Sequence, residues 1–213
     1  MGARWSFGVE PLPGSLELAS LIREVTGLVL SLESPHPALE RLAAALRSAA
    51  DALRPLVPGE PSPRVGSKAD SDGRAYIDHS RDIGAYNPFF PTYEMRVDGD
   101  RASGTVSFPV VYEGPPGLVH GGFLALFFDS VVQQHNCDLG VAGKTTSLSL
   151  TYRRPTPLLS ALPFEVERSV EERRIVSTAR IVADGAVLCE AQVSALAGSH
   201  AQLPAVSPRR PAP

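Results

Sequence analysis

Residues 120–136 constrain the fold more than any other stretch of this 213-residue chain. His120-Gly121-Gly122 opens a run in which Phe123, Leu124, Ala125, Leu126, Phe127 and Phe128 are apolar without interruption, closed by the lone acid Asp129. A helix from about His120 to Asn136, this apolar, has to be covered on most sides. The segments around it supply the cover. Tyr93–Val97 and Thr105–Tyr112 read as strands, with Asp98-Gly99 as a hairpin turn between them. Val106, Phe108, Val110 and Tyr112 alternate, while Pro109 implies an edge or a bulge. Further strands are expected at 145–153, 162–170, 174–183 and 186–196, the last pair joined at Asp184-Gly185. One apolar helix among strands joined by short turns fits an antiparallel sheet wrapped around a central helix, an α+β architecture.

The rest of the chain divides into zones. Residues 1–54 form a helical extension. Leu16, Leu18, Leu21, Ile22, Val25, Leu28, Val29 and Leu32 fall largely at helical spacing. Ser34-Pro35-His36-Pro37 interrupts, and Leu39, Leu42, Ala43, Leu46, Ala49, Ala50 and Leu53 make a second stripe. Two such helices suggest an antiparallel hairpin that has to dock on the rest of the chain or on a partner. Residues 55–75, with four prolines before Gly66, read as a linker, and 76–198 as the folded domain. The proline-rich tail 199–213 is expected to be disordered.

A net charge of -3 argues against nucleic acid as the main partner. No apolar run reaches the length of a membrane span, and the N-terminus lacks a signal-peptide pattern. Cys137 and Cys189 have no metal-ligand spacing and need not pair, so reduced thiols and a cytoplasmic location are expected.

The Gly-Gly pair presents backbone N–H groups bare of side chains at the positive end of a helix dipole, where a developing oxyanion can be held. Asp129, on an apolar helix, needs a partner or a chemical role. Gly122 and Asp129 are seven residues apart, sharing a face but separated by ~10 Å along the axis. One carbonyl cannot touch both from the same chain, whereas a twofold-related copy brings one chain's Asp129 to the other's glycines. Gln133, one turn beyond Asp129, is placed to bond it or a water, or else is a polar side chain facing solvent. His135-Asn136-Cys137 has the residue types of a nucleophilic site, but neighbours at a helix end do not face one another. A capping Asn and a packed Cys are the better reading.

Tyr112-Glu113-Gly114-Pro115-Pro116-Gly117-Leu118-Val119-His120-Gly121-Gly122, then Asp129, then Thr145 and Tyr152-Arg153-Arg154-Pro155-Thr156-Pro157, resembles the PaaI-type hotdog-fold thioesterases. Asn87-Pro88-Phe89-Phe90-Pro91 is similar to the segment leading into that domain, and the resemblance spans about 84–197. It implies a homodimeric or tetrameric acyl-coenzyme A thioesterase in lipid metabolism, with no metal and no redox cofactor. By the resemblance Asp129 is the general base or nucleophile, the N–H of Gly121 or Gly122 polarises the carbonyl, and His120 shapes that turn. Thr145 matches the position that orients the water. Its strand parity groups it with Ser147, Ser149 and Thr151, so either the polar face lines the site or a bulge shifts the register, with Thr146 as the substitute. Arg153 and Arg154 fit phosphate recognition, one of the two making contact. Arg173 and Arg174 are weaker candidates.

The chain departs from the family at Gly114-Pro115-Pro116, which cannot supply the amide donor that some relatives place in this loop. Glu113, the nearest polar side chain, would oppose an oxyanion. A non-hydrolytic acyl-CoA or lipid-binding module is therefore the alternative function, and a dehydratase of the same fold a more distant one. The N-terminal helices are expected either to cap a long acyl chain or to stabilise a dimer or dock a partner. Phe123, Leu124, Phe127 and Phe128 point to a medium- or long-chain substrate, or to core.

Overall fold

The computed structural model describes residues 14–57, 82–140 and 143–197. Helices α1 (Ser15–Leu30) and α2 (Ala38–Leu53) are followed by a 3₁₀ turn, Arg54–Leu56, and the short α3 (Ile83–Tyr86). Strands β1 (Thr92–Asp98) and β2 (Arg101–Ser107), a 3₁₀ turn (Val110–Tyr112) and α4 (Gly121–Asp138) come next. The chain continues through β3 (Gly143–Tyr152), β4 (Ala161–Glu171), β5 (Arg174–Ala183) and β6 (Ala186–Ala197). The six strands form one antiparallel sheet in the order β1-β2-β4-β5-β6-β3. The α+β architecture expected from the sequence is the one observed. From residue 58 the expected linker lies outside the described residues, as does the 199–213 tail.

The alternation of β-branched and small residues sets which face of the sheet is buried. Leu162, Phe164 and Val166 of β4 are buried while their neighbours are exposed, and β5 buries Ile175, Ser177, Ala179 and Ile181 in the same way. Helix α4 lies against this face. Phe127, fully buried, makes edge contacts with Tyr93 (5.9 Å), Phe108 (5.7 Å) and Phe164 (5.1 Å), tying three strand-side segments to one helical residue. Truncating it to Ala costs about 3–5 kcal/mol. Leu124, Phe127 and Phe128 are therefore core, while Phe123, Ala125 and Leu126 are half-buried.

One expected strand and one expected turn shift, and a second turn falls where it was expected. Ser107 ends β2, because Pro109 has no N–H for the ladder, and Val110–Tyr112 turns instead of continuing the strand to Tyr112. Asp98 pairs with Arg101, so the first turn is centred on Gly99-Asp100, one residue later than expected. Asp184 (φ 49°) and Gly185 (φ 72°) form the second turn, the left-handed pair that matches strand twist.

The N-terminal helices attach differently from the expectation. Only Ala19 and Arg23 of α1 are buried, and nothing in α2 is. Leu16, Leu18, Leu21, Leu28, Leu46 and Leu53 remain exposed, so the stripes do not dock on the described part of the domain. Instead α1 is held by Arg23. Its Nη2 donates to the carbonyls of Gly84 (2.5 Å), Asn87 (3.2 Å) and Phe90 (3.0 Å), clasping α3 and the Asn87-Pro88-Phe89-Phe90-Pro91 segment. A groove of about 330 Å³ between the two helices is lined by Val25, Leu28, Leu32 and Leu39 among others.

Candidate active site

The site is built around the N-terminal turn of α4 and the face of that helix one to two turns further on. His120 is the N-cap residue: extended at φ -65°, ψ 132°, it accepts the Gly122 N–H at its Nδ1, 3.0 Å away. Its own N–H donates to Tyr112 O (2.9 Å), while its carbonyl accepts from Phe123 and Leu124. The Gly122 N–H is thus taken within its own turn. Among the described residues, the Gly121 N–H has no acceptor, which makes it the open donor at the helix end.

Asp129 sits half-buried on α4, and the Thr145 hydroxyl donates to its Oδ1 at 2.7 Å. A register shift between Thr145 and Ser147 makes this possible. Thr145 pairs with Ala195, Ser147 with Ser194, and Thr146 falls between, its hydroxyl donating to Ser194 O (3.1 Å). The bulge puts Thr145 on the helix-facing side with half-buried Leu148 and Leu150. Of the two alternatives left by strand parity, the bulge is the one found. One carboxylate oxygen of Asp129 is held by Thr145, leaving Oδ2 for a water.

Gln133 does not reach Asp129. Its Nε2 donates to Gly143 O (2.6 Å) and its Oε1 accepts from Asn136 (3.3 Å), tying α4 to the start of β3, two residues before Thr145. Asn136 is not a cap, because the helix runs on to Asp138. It is fully buried and accepts from Arg168 Nη1 at 3.0 Å. His135 is also fully buried, with Nε2 2.9 Å from Gly99 O; burial pushes its pKa down. Cys137 and Cys189 are buried and not joined in a disulfide, and burial pushes the Cys189 thiol up to about 11. Cys137 is buried, and the neighbouring His135 and Asn136 side chains are engaged by Gly99 O and Arg168, so the sequence trio is not assembled as a nucleophilic site.

Arg153 and Arg154 leave β3 together, both N–H groups donating to Leu188 O. The Arg153 guanidinium is engaged by Glu190 (3.2 Å), which also accepts from Arg180 at 2.6 Å; Arg180, then Arg153, hold the Glu190 carboxyl below its usual range. Arg154 is exposed and, among the described residues, its side chain has no partner. Arg173 spends its guanidinium on Ala197 O, while Arg174 is exposed at the start of β5. Glu113 is turned onto its own loop, accepting the Gly117 N–H at 2.7 Å, so its charge braces the turn. Two contributors escaped the sequence reading. Arg23 is one: its four-residue spacing from Ala19 puts both on the docked face of α1. Tyr152 is the other, its hydroxyl donating to Gly121 O at 3.1 Å.

No family model matches the sequence. Solved structures do. The chain is similar to a crystal structure of a thioesterase superfamily protein at 28% identity and a TM-score of 0.69, over 88% of this chain and 97% of that one. Its fold is that of the hotdog thioesterase superfamily. The share matched is too large for the hotdog domain alone, so the similarity extends into the N-terminal part of the chain. Lesser similarity is found to a hypothetical thioesterase with coenzyme A from Streptococcus pneumoniae (21% identity, TM-score 0.48, 51% of this chain and 90% of that one). A Streptococcus mutans protein bound to acetyl-CoA matches at 13% identity and a TM-score of 0.48, over 56% of this chain and 92% of that one. Among the described residues, no helix of this hotdog chain is long and apolar enough to cross a membrane.

Proposed function

We propose that this hotdog protein hydrolyses acyl-coenzyme A thioesters, with Asp129 as the general base or nucleophile and the Gly121 N–H as the carbonyl donor. The observation that carries the reading is the 2.7 Å bond from Thr145 to Asp129 Oδ1. It fixes one edge of the carboxylate on α4 and leaves the other oxygen free, the arrangement needed to take a proton from water. In the general-base route, water forms the new C–O bond as Asp129 accepts its proton. The oxyanion then collapses, the C–S bond breaks, and the thiolate leaves with a proton to give free acid and coenzyme A. An N–H at a helix N-terminus stabilises charge that develops only in that transition state. The reading draws on no metal and no redox cofactor.

Gly121 and Asp129 lie eight residues apart on one helix, ~12 Å along its axis, so the proposed site takes Asp129 from one chain and Gly121 from a twofold-related copy. The ten-residue edge strand β3, unpaired on its outer side in the single chain, offers a ladder on which two copies can join. Arg154 is the better placed of the two arginines for the coenzyme's phosphates, because Glu190 already holds Arg153. With Leu124, Phe127 and Phe128 in the core, half-buried Phe123, 6.1 Å ring to ring from His120, is what supports a medium- or long-chain acyl group.

A second reading, an acyl-CoA binding module without turnover, is favoured by the 113–117 loop, which offers no amide side chain. Thiol release from short-, medium- and long-chain acyl-CoAs, comparing the parent with Asp129→Asn, separates the two. Turnover abolished by the substitution supports hydrolysis. Binding of acyl-CoA without turnover by the parent refutes it in favour of the module.

A further inference from the structure

Resting on the hydrolase reading above, we propose that Tyr152 is a positioning residue for the oxyanion turn, its hydroxyl and ring locking the Gly121–Gly122 peptide so that the Gly121 N–H stays open to the substrate carbonyl.

Two successive glycines form the most permissive backbone a chain can have, so a donor placed there needs ties from outside. The 121–122 peptide has them on both sides. Its carbonyl accepts from Tyr152 Oη at 3.1 Å, and its N–H donates to His120 Nδ1 at 3.0 Å. A peptide held at both polar groups cannot rotate to send the Gly122 N–H toward a ligand. The neighbouring N–H, that of Gly121, is left as the donor.

The fit between the two residues is steric as well as polar. A Cβ at Gly121 would lie 2.8 Å from Tyr152 Oη, 2.9 Å from Cζ and 3.1 Å from Cε1, so the ring rests directly on the glycine's α-carbon. Tyr152 is 58% exposed. Burial therefore does not force the bond to Gly121; the geometry at the end of β3 does. The same strand begins with the bulge that turns Thr145 onto Asp129. One strand thus carries both restraints, Thr145 on the acid and Tyr152 on the donor turn. In a site shared between two copies these belong to opposite sites.

Tyr152→Phe keeps the ring and removes the hydroxyl. Steady-state thiol release should show kcat lower by about 3- to 10-fold, the loss of one neutral hydrogen bond, with KM within about twofold of the parent. In the Asp129→Asn background, the infrared carbonyl stretch of bound acyl-CoA should move back toward its value in water when Tyr152→Phe is added. A residue with only a structural role would lower Tm and leave that frequency alone. The Gly122 amide should also exchange its hydrogen about 10-fold faster in Tyr152→Phe, a readout independent of turnover. Parental kcat and carbonyl frequency in Tyr152→Phe, or unchanged exchange at Gly122, would overturn the proposal. A parent that releases no thiol refutes the hydrolase reading instead, and the exchange measurement still decides the tie.

Discussion

Replacing Thr145 by Val removes a hydroxyl while keeping the shape of the side chain, and it isolates the contact on which the proposed chemistry turns. The bond lost is an O–H to a carboxylate oxygen at 2.7 Å, half-buried. Hydrogen bonds to charged groups contribute about 1.5–3 kcal/mol net, and partial exposure favours the lower end, about 1.5–2 kcal/mol. If that energy holds the carboxylate in its reactive orientation, kcat falls by about 10- to 30-fold at 1.36 kcal/mol per decade, with KM little changed. Thr145→Ser should restore most of the rate. Thr146→Val is the internal control: its hydroxyl is spent on Ser194 O, on the far side of the bulge, and its loss should leave kcat within about twofold. Steady-state thiol release with purified variants reads all three. Parental kcat in Thr145→Val, or an equal loss in Thr146→Val, would refute the assignment.

Other regions make separate predictions. Arg23→Met removes a cation shared by three carbonyls and should destabilise the fold by about 1–3 kcal/mol in urea unfolding; a change below about 0.5 kcal/mol would contradict the clasp. His135 has its pKa lowered by burial, so the unfolded chain binds more protons as pH falls through its ordinary value. Its contribution makes stability drop below about pH 6.5, by up to about 1.4 kcal/mol per unit, and His135→Gln should flatten that part of the urea-midpoint profile. With the Cys189 thiol buried and pushed up to about 11, native protein at pH 8 should resist a thiol-specific reagent and react at both cysteines only once unfolded.

The architecture was legible because periodicity is a local signal. An uninterrupted apolar run opened by two glycines, and strands alternating at two, are visible without knowing the partners. What stayed hidden depended on contacts between distant segments. Counting parity along β3 assigns Thr145 to the wrong face, because a bulge leaves no mark in residue types when every candidate is Thr or Ser. Gln133 reads as a partner for Asp129 at one-turn spacing, yet it bonds the Gly143 carbonyl ten residues on. Gly121 and Gly122 are equivalent in the sequence, and only the His120 side chain, folded back on Gly122, distinguishes them. Arg23 looks like an interruption until three carbonyls from residues 84–90 converge on it. The apolar stripes of α1 and α2 were expected to find cover, and within the described chain most of that surface stays open.

The central claim is that one site uses Asp129 from one chain and the Gly121 N–H from another. Gly121→Pro removes that N–H at a helix position where proline is tolerated, its added Cβ pushing the exposed Tyr152 ring aside, and Asp129→Asn removes the acid. Each variant alone should be nearly inactive while keeping the parent's elution volume. Co-expressed in equal amounts, half the dimers are mixed and each carries one undamaged site, so about a quarter of the parent's thiol-release rate should return. No recovery in verified mixed dimers would contradict the shared site.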